Sequence, residues 1–256
     1  MTTSRTEGFR TLQVVKTWQL TPRMKRLRLT GEDLDHFAST DDIHVRLYIP
    51  ESRQTDIRSL VFHADGQPRD TGPGSGFAVR YYTIRRIDAA AGWLDIDFVL
   101  HDAPGPGSDF ARRAQPGDIC GVSGPCGLSV KPASRYLLVG DETALPAIAR
   151  IVEELPRHST GHVFVEIADA DERIDFDMPA GMSLTWLHRQ DKPSLALAAK
   201  AVIGDYDPAE QDDFFIWIAG EFGAIASLRL ALHPFAKVRY MCVPYWLKKY
   251  ETARAG

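Results

Sequence analysis

The heptapeptide Arg80-Tyr81-Tyr82-Thr83-Ile84-Arg85-Arg86 sets three arginines, two phenols and a hydroxyl within seven positions. Read as a strand, alternation sends Arg80, Tyr82 and Ile84 to one face and Tyr81, Thr83 and Arg85 to the other, before any twist or bulge. A flat aromatic, a hydroxyl and a cation on one strand are what a flavin lying across it needs: a ring to pack on, a partner near its reactive nitrogen and a charge for its phosphates. An ordinary half-exposed strand also accommodates Arg and Tyr, so the rest of the chain must decide. His101 closes the apolar run WLDIDFVL, and Gly105, Gly107 and Ser108 precede a short helical pattern. Backbone amides at such a helix start suit a pyrophosphate, although a plain turn with an N-capping Ser108 has the same residues. Farther on, VGDET (139–143) and AGEFG (219–223) each put a glycine and an acid where a strand turns into a helix. The dinucleotide fingerprint G-x-G-x-x-G is absent.

Elements able to hold these groups follow from periodicity. Before residue 131 the patterned segments are short, alternating and bounded by Gly, Pro or Asp: LQVVKTWQL, MKRLRLT, HVRLYI, VRYYTIRR, WLDIDFVL and DICGVS. They predict an antiparallel, Greek-key β-barrel over residues 1–131, with a polar exposed loop at 51–77 and one helix, GSDFARRA, before the last strand. From residue 132 to 256 apolar strands alternate with helical patterns, which predicts an α/β domain with a mostly parallel sheet covered on both faces. Ligands of such sheets bind outside the carboxyl ends of the strands, where VGDET and AGEFG lie. The end of the chain, from PYWLKK onward, reads as a polar, basic tail.

Composition narrows the function classes. The 256 residues are 44% hydrophobic and 25% charged with a net charge of -4, so nothing suggests nucleic acid, which draws a basic face. No run approaches a membrane span, and the start of the chain has no apolar signal segment; a cytoplasmic, monomeric protein is expected. Cys120, Cys126 and Cys242 form no CxxC pair or metal-ligand spacing, so we expect reduced thiols and no metal site.

R-x-Y-T-x-R at Arg80, Tyr82, Thr83 and Arg85 resembles the flavin motif of the siderophore-interacting protein family, whose architecture is similar to that of ferredoxin-NADP reductases. DxHVRL at 42–47, DFVLH at 97–101, GPGS at 105–108, PGD at 116–118, GDETALPAI at 140–148 and AGE at 219–221 agree in order and spacing. The resemblance implies a reductase with tightly held FAD that takes electrons from NAD(P)H, or in some members ferredoxin, and delivers them to a ferric siderophore. It implies that Arg80 contacts the FAD phosphates, that Tyr82 packs on the isoalloxazine and that Thr83 sits near N5 as the catalytic hydroxyl. Asp97, Val99, His101, Gly105, Gly107 and Ser108 would complete the FAD site, and Asp141, Thr143, Ala144 and Glu221 would line the nicotinamide cleft. Lys248, Lys249 and Arg46 are candidates for a cationic rim that attracts the anionic chelate. Cys126 stands in GPCG where the family often has arginine, and Phe110 where tryptophan is common. Another flavin or ferredoxin reductase of this architecture, or a non-enzymatic siderophore carrier, are the competing readings.

Overall fold

A computed structural model describes residues 8–60, 62, 74–127, 129–190, 192–208 and 213–248. The chain forms two compact units, Met1–Ser129 and Val130–Gly256.

In the first unit β1 (Phe9–Thr21), β2 (Met24–Thr30), β3 (His44–Pro50), β4 (Phe77–Asp88), β5 (Trp93–Val99) and β6 (Ile119–Cys126) close a barrel in the order β1-β2-β5-β4-β3-β6. Every neighbouring pair is antiparallel. Alternate residues fill the interior: Leu27 and Leu29 of β2, Val45 and Leu47 of β3, and Leu94, Ile96 and Phe98 of β5. Between the inward residues of β5, Asp95 and Asp97 point the other way. Each meets an arginine of β2 through two hydrogen bonds, Arg28 to Asp95 at 2.8 and 2.9 Å and Arg26 to Asp97 at 2.6 and 2.8 Å. The two carboxylates are 1% and 5% exposed, so the arginines cap otherwise costly buried charges and fix the β2–β5 register.

The helix α1 (Pro106–Arg113) lies between β5 and β6 in sequence and buries Phe110 and Ala111 in the barrel core. Its N-cap is Gly105, with Pro106 at the first helical position. Ser108, expected as the cap, is instead inside the first turn. Of the loop expected at 51–77, residues 61 and 63–73 lie outside the described residues; in the described part Ile57 and Leu60 are buried with Tyr48 and Phe77 in a small cluster that covers the outward ring of Tyr48.

The second unit is a parallel sheet of order β11-β10-β7-β8-β9. Its strands are β7 (Arg135–Asp141), β8 (Thr160–Ile167), β9 (Gly181–His188), β10 (Phe214–Glu221) and β11 (Tyr240–Trp246), with helices α2 (Leu145–Glu154), α3 (Leu195–Ile203) and α4 (Phe222–Ala231). The chain runs outward from β7 to β9 and then returns to β10 beside β7, so the order reverses between β7 and β10. That reversal marks where a doubly wound sheet binds its ligand. The residues PYW, expected in the tail, instead belong to β11, and Pro244 is tolerated because β11 is an edge strand. Among the described residues no helix is long and apolar enough to cross a membrane.

Replacing Asp97 by alanine removes both hydrogen bonds that the Arg26 guanidinium, 12% exposed as a side chain, makes to the carboxylate. Urea denaturation of the FAD-saturated protein is expected to show a loss of about 3 kcal/mol. An unchanged midpoint would remove the ion pair as a barrel element.

Candidate functional site

The groups singled out in the first unit meet beside β4. This strand pairs with β3 from Phe77 to Thr83 but with β5 only from Ile84 to Asp88. A bulge at the crossover lies between Ile84 and Arg86, and Ile84 and Ile87 both pack on the barrel core, which breaks the expected alternation after Ile84; Arg85, within the bulge, is 3% exposed. Upstream of the bulge, Tyr82 packs on the barrel core, its ring 4.4 Å from that of Phe98. Burial pushes its phenol pKa upward, so it stays neutral and aromatic.

The N-terminal turn of α1 stands against Tyr82. A Cβ on Gly107 would lie 1.8 Å from the Tyr82 hydroxyl oxygen, and one on Gly105 would lie 2.6 Å from Cε1 of His101. A side chain at Gly107 would therefore displace the packed Tyr82 ring, whereas at Gly105 the exposed His101 ring would have to turn aside. The loop is tied down around these contacts: His101 Nδ1 lies 2.6 Å from the Ala103 carbonyl, and the His101 amide donates to Ser108 Oγ at 3.2 Å. Arg112, which sequence reasoning missed, spans the turn. Its guanidinium donates to the His101 carbonyl at 2.7 Å and to Ser108 Oγ at 3.4 Å. The signal was the four-residue spacing from Ser108 on one helix face. Asp109 takes the Gly105 amide at 3.1 Å, while no side chain caps the helix; the first-turn amides of Gly107 and Ser108 thus stay without a side-chain cap at the positive end of the helix.

Arg80 is exposed and donates to the Val79 carbonyl at 2.7 Å. Thr83 lies on the opposite face of β4, paired with His44 and 5% exposed. Asp97 gives both oxygens to Arg26, and Val99 ends β5 opposite Met24. The residues Tyr82, His101, Gly105, Gly107 and Ser108 thus converge, with Arg80 on the same strand, whereas Asp97 serves the barrel wall.

In the second unit Asp141 organises the switch point. Its carboxylate, in a residue 3% exposed, accepts four hydrogen bonds: from the Thr143 amide at 2.9 Å, the Thr143 hydroxyl at 2.5 Å, the Glu221 amide at 2.9 Å and Trp246 Nε1 at 2.8 Å. One acid at the end of β7 therefore pins the ends of β10 and β11. Gly220, at φ 154°, permits this approach, since a Cβ there would sit 2.9 Å from Asp141 Oδ2. Thr143 is used by Asp141 and does not cap α2, whose N-cap is Ala144. Glu221 is the N-cap of α4, accepting from the amides of Ala224 at 2.7 Å and Lys248 at 3.1 Å. Desolvation opposes its ionisation, but the amides of Lys248, Ala224 and Gly223 outweigh it and hold the carboxyl below its usual range. Trp246, another residue missed in the sequence, gained its role only through Asp141, 105 positions away. Lys248 is exposed, and Lys249 lies outside the described residues. Of the basic residues near the strand ends, Arg189 is held by Glu142 and Glu166, and Arg150 is buried beside Glu154, while Arg173 lies 3.3 Å from His188 Nε2.

Cys120, Cys126 and Cys242 are unpaired thiols. Complete burial pushes Cys120 up to about 12, which keeps it protonated. Among the described residues no cluster of His, Cys, Asp or Glu could hold a metal.

The β4–α1 cradle fits a flavin dinucleotide on structural grounds. Two glycines bare the backbone, uncapped amides and Arg80 suit phosphates, and Tyr82 offers a neutral ring. Comparison with known proteins agrees. The family model described as siderophore-interacting FAD-binding domain matches residues 13–129, and that described as siderophore-interacting protein matches 133–249. The chain is 30% identical over 251 residues to the ferric vibriobactin reductase ViuB of Vibrio cholerae, covering 95% of this chain and 92% of that one. It is 31% identical over 255 residues to the NADPH-dependent ferric-chelate reductase of Escherichia coli, covering 94% of each. The crystal structure of a siderophore utilization protein from T. fusca superposes with a TM-score of 0.80 at 36% identity, covering 95% of this chain and 94% of that one. The chain belongs to the siderophore-interacting protein family, and its first unit is the FAD-binding domain of that family.

Two outcomes check this geometry. Gly107→Ala is expected to lower FAD affinity at least tenfold in a fluorescence titration, and adding Tyr82→Phe, which removes the clashing oxygen, to recover part of it; an unaffected single variant contradicts the close fit. Because the pKa of Glu221 is depressed on folding, its contribution is present above about pH 4.3 and fades as pH falls through the folded value. The difference in melting temperature between wild type and Glu221→Gln should be constant near neutrality and shrink on acidification below that point.

Proposed function

We propose that this protein is a flavin-dependent ferric-siderophore reductase that passes electrons from NAD(P)H to chelated Fe(III) and frees the iron as Fe(II) in the cytoplasm. The observation that carries the reading is the Tyr82–Gly107 contact beside the uncapped start of α1, a seat shaped for a ring and its phosphates. Bound FAD supplies the link between a two-electron hydride donor and a one-electron ferric acceptor.

The protein's own residues bind and orient. Arg80 and the amides of Gly107 and Ser108 hold the phosphates, while His101, braced by Ser108 and Arg112, fixes the loop that presents them. Tyr82 packs on the ring system. The Thr83 hydroxyl would offer the ring system a hydrogen-bonding partner near its reactive nitrogen. Asp141 keeps the ends of β7, β10 and β11 in the arrangement that receives the nicotinamide, with Thr143, Ala144 and the Glu221 cap around it. Arg46 gives an anionic chelate a cationic approach on the first unit, which acts mainly on encounter and orientation. Outer-sphere reduction needs no protein general acid or base. The lower charge of Fe(II) weakens its hold on hard anionic donors, so the product dissociates.

Electron balance sets the test. One NAD(P)H releases two electrons and a proton, so roughly two ferrous ions should appear per nucleotide consumed. Fe(II) formed from a ferric siderophore, trapped anaerobically by a coloured ferrous chelator, is expected only when FAD, nucleotide and protein are all present. Iron reduction driven by reduced ferredoxin and by neither nucleotide would overturn the donor assignment. Binding of the chelate without any ferrous product would make the protein a carrier.

A further inference from the structure

The helix α4 (Phe222–Ala231) departs from the pattern of a surface helix, which sets an apolar stripe against the core and charged residues toward solvent. The inner stripe is in place, with Ile225 and Leu228 buried against the sheet. The outer face carries Phe222, Ala226 and Leu230 at four-residue intervals, all exposed, Phe222 by 46% and Leu230 by 74%. The helix has one charged side chain, Arg229, and it is drawn aside to donate to the Cys242 carbonyl of β11 at 3.3 Å. Helix α3 packs beside α4, and its Leu197 is 61% exposed.

Three occupants could cover such a face, and chemistry separates them. The residues after Lys248 start beside it, because the Lys248 amide is held by Glu221, the N-cap of α4. They read KYETARAG, in which Tyr250 is the sole large apolar side chain, too little to bury Phe222, Leu230 and Leu197. A membrane surface draws helices rich in Lys and Arg on the polar face, and α4 has only the engaged Arg229. A second copy suits the face on two counts. A twofold contact sets a patch against its own copy, so a face without charge avoids self-repulsion. The row Phe222, Ala226, Leu230 is also an i±4 ridge, and two such ridges interdigitate when helices cross at about 50°. Its small residue stands at the centre, with a large one four residues to either side.

We propose, against the monomer expected from the sequence, that the protein forms a twofold dimer in which two copies of α4 cross antiparallel at Ala226 and each Phe222 meets the partner's Leu230. A helix of 10 residues is about 15 Å long. Even with α3 alongside, the contact is smaller than the about 800 Å² per partner of a standard interface. The dimer is therefore reversible and depends on protein concentration. This inference lies outside the reductase reading and holds or fails independently of it.

Sedimentation velocity of the FAD-loaded protein from about 1 to about 100 µM tests it. Wild type is expected to pass from one chain to two as the concentration rises. Leu230→Glu, and Ala226→Lys, which opposes like charges at the crossing, should each weaken association about tenfold and leave the far-ultraviolet circular dichroism unchanged. Phe222→Lys should do the same. The double variant Phe222→Lys/Leu230→Glu should recover part of the dimer, since its introduced charges of opposite sign then meet across the twofold. A wild type that stays one chain throughout overturns the dimer, and binding of that monomer to phosphatidylcholine vesicles would give the face to a membrane surface instead. A dimer undisturbed by Leu230→Glu and Ala226→Lys overturns α4 as its surface. Loss in Phe222→Lys and Leu230→Glu with no recovery in the double variant overturns the antiparallel crossing.

Discussion

The change of partner along β4 is the constraint on which the first unit depends. A strand paired on both edges throughout would bury Tyr82 and Arg80 in a continuous wall and leave no place for a ligand. The bulge at Ile84–Arg86 ends the pairing with β5 early, and the start of α1 comes against the strand there. Each further feature of the seat follows from that geometry. The helix must approach a tyrosine hydroxyl without a Cβ, hence Gly107, and the loop before it must pass under an imidazole, hence Gly105. The two Arg–Asp pairs between β2 and β5 hold the adjoining wall in register, so the local loss of pairing does not spread.

The second unit solves a different problem with one carboxylate. Asp141 gathers donors from the turn after its own strand, from the end of β10 and from the indole of β11. The carboxyl ends of neighbouring parallel strands lie side by side and open onto the turns that follow, and a buried anion there needs several donors to offset its desolvation. With Glu221 capping α4 and receiving the Lys248 amide, the return of the chain after β11 is fixed by the same few polar atoms.

Much of this was legible in the sequence where the signal is local. Alternation gave the six barrel strands, apolar runs between helical patterns gave the doubly wound sheet, and the spacing of Arg80, Tyr82 and Thr83 pointed to a ligand strand. What stayed hidden depends on distance in the chain or on a missing side chain. Asp141 read as a cofactor contact because its partners lie 80 and 105 residues away. Ser108 read as a helix cap because a serine has the capping group and Gly105 has none, yet the backbone begins its turn at the glycine. Asp97 lay in a motif next to His101, and only the β2–β5 register shows that Arg26 takes its charge. Trp246 was left in a tail because the stretch from PYWLKK onward is polar and basic, although β11 runs through to the indole.

The central claim is that the cradle on β4 holds a flavin which stands between a nicotinamide donor and a ferric acceptor. The most direct measurement is the visible absorbance of the FAD-loaded protein under anaerobic conditions. Adding NADH or NADPH should bleach the flavin bands, and a ferric siderophore added afterwards should restore them at a rate that rises with its concentration. A flavin that bleaches but stays bleached with every ferric chelate would contradict the account.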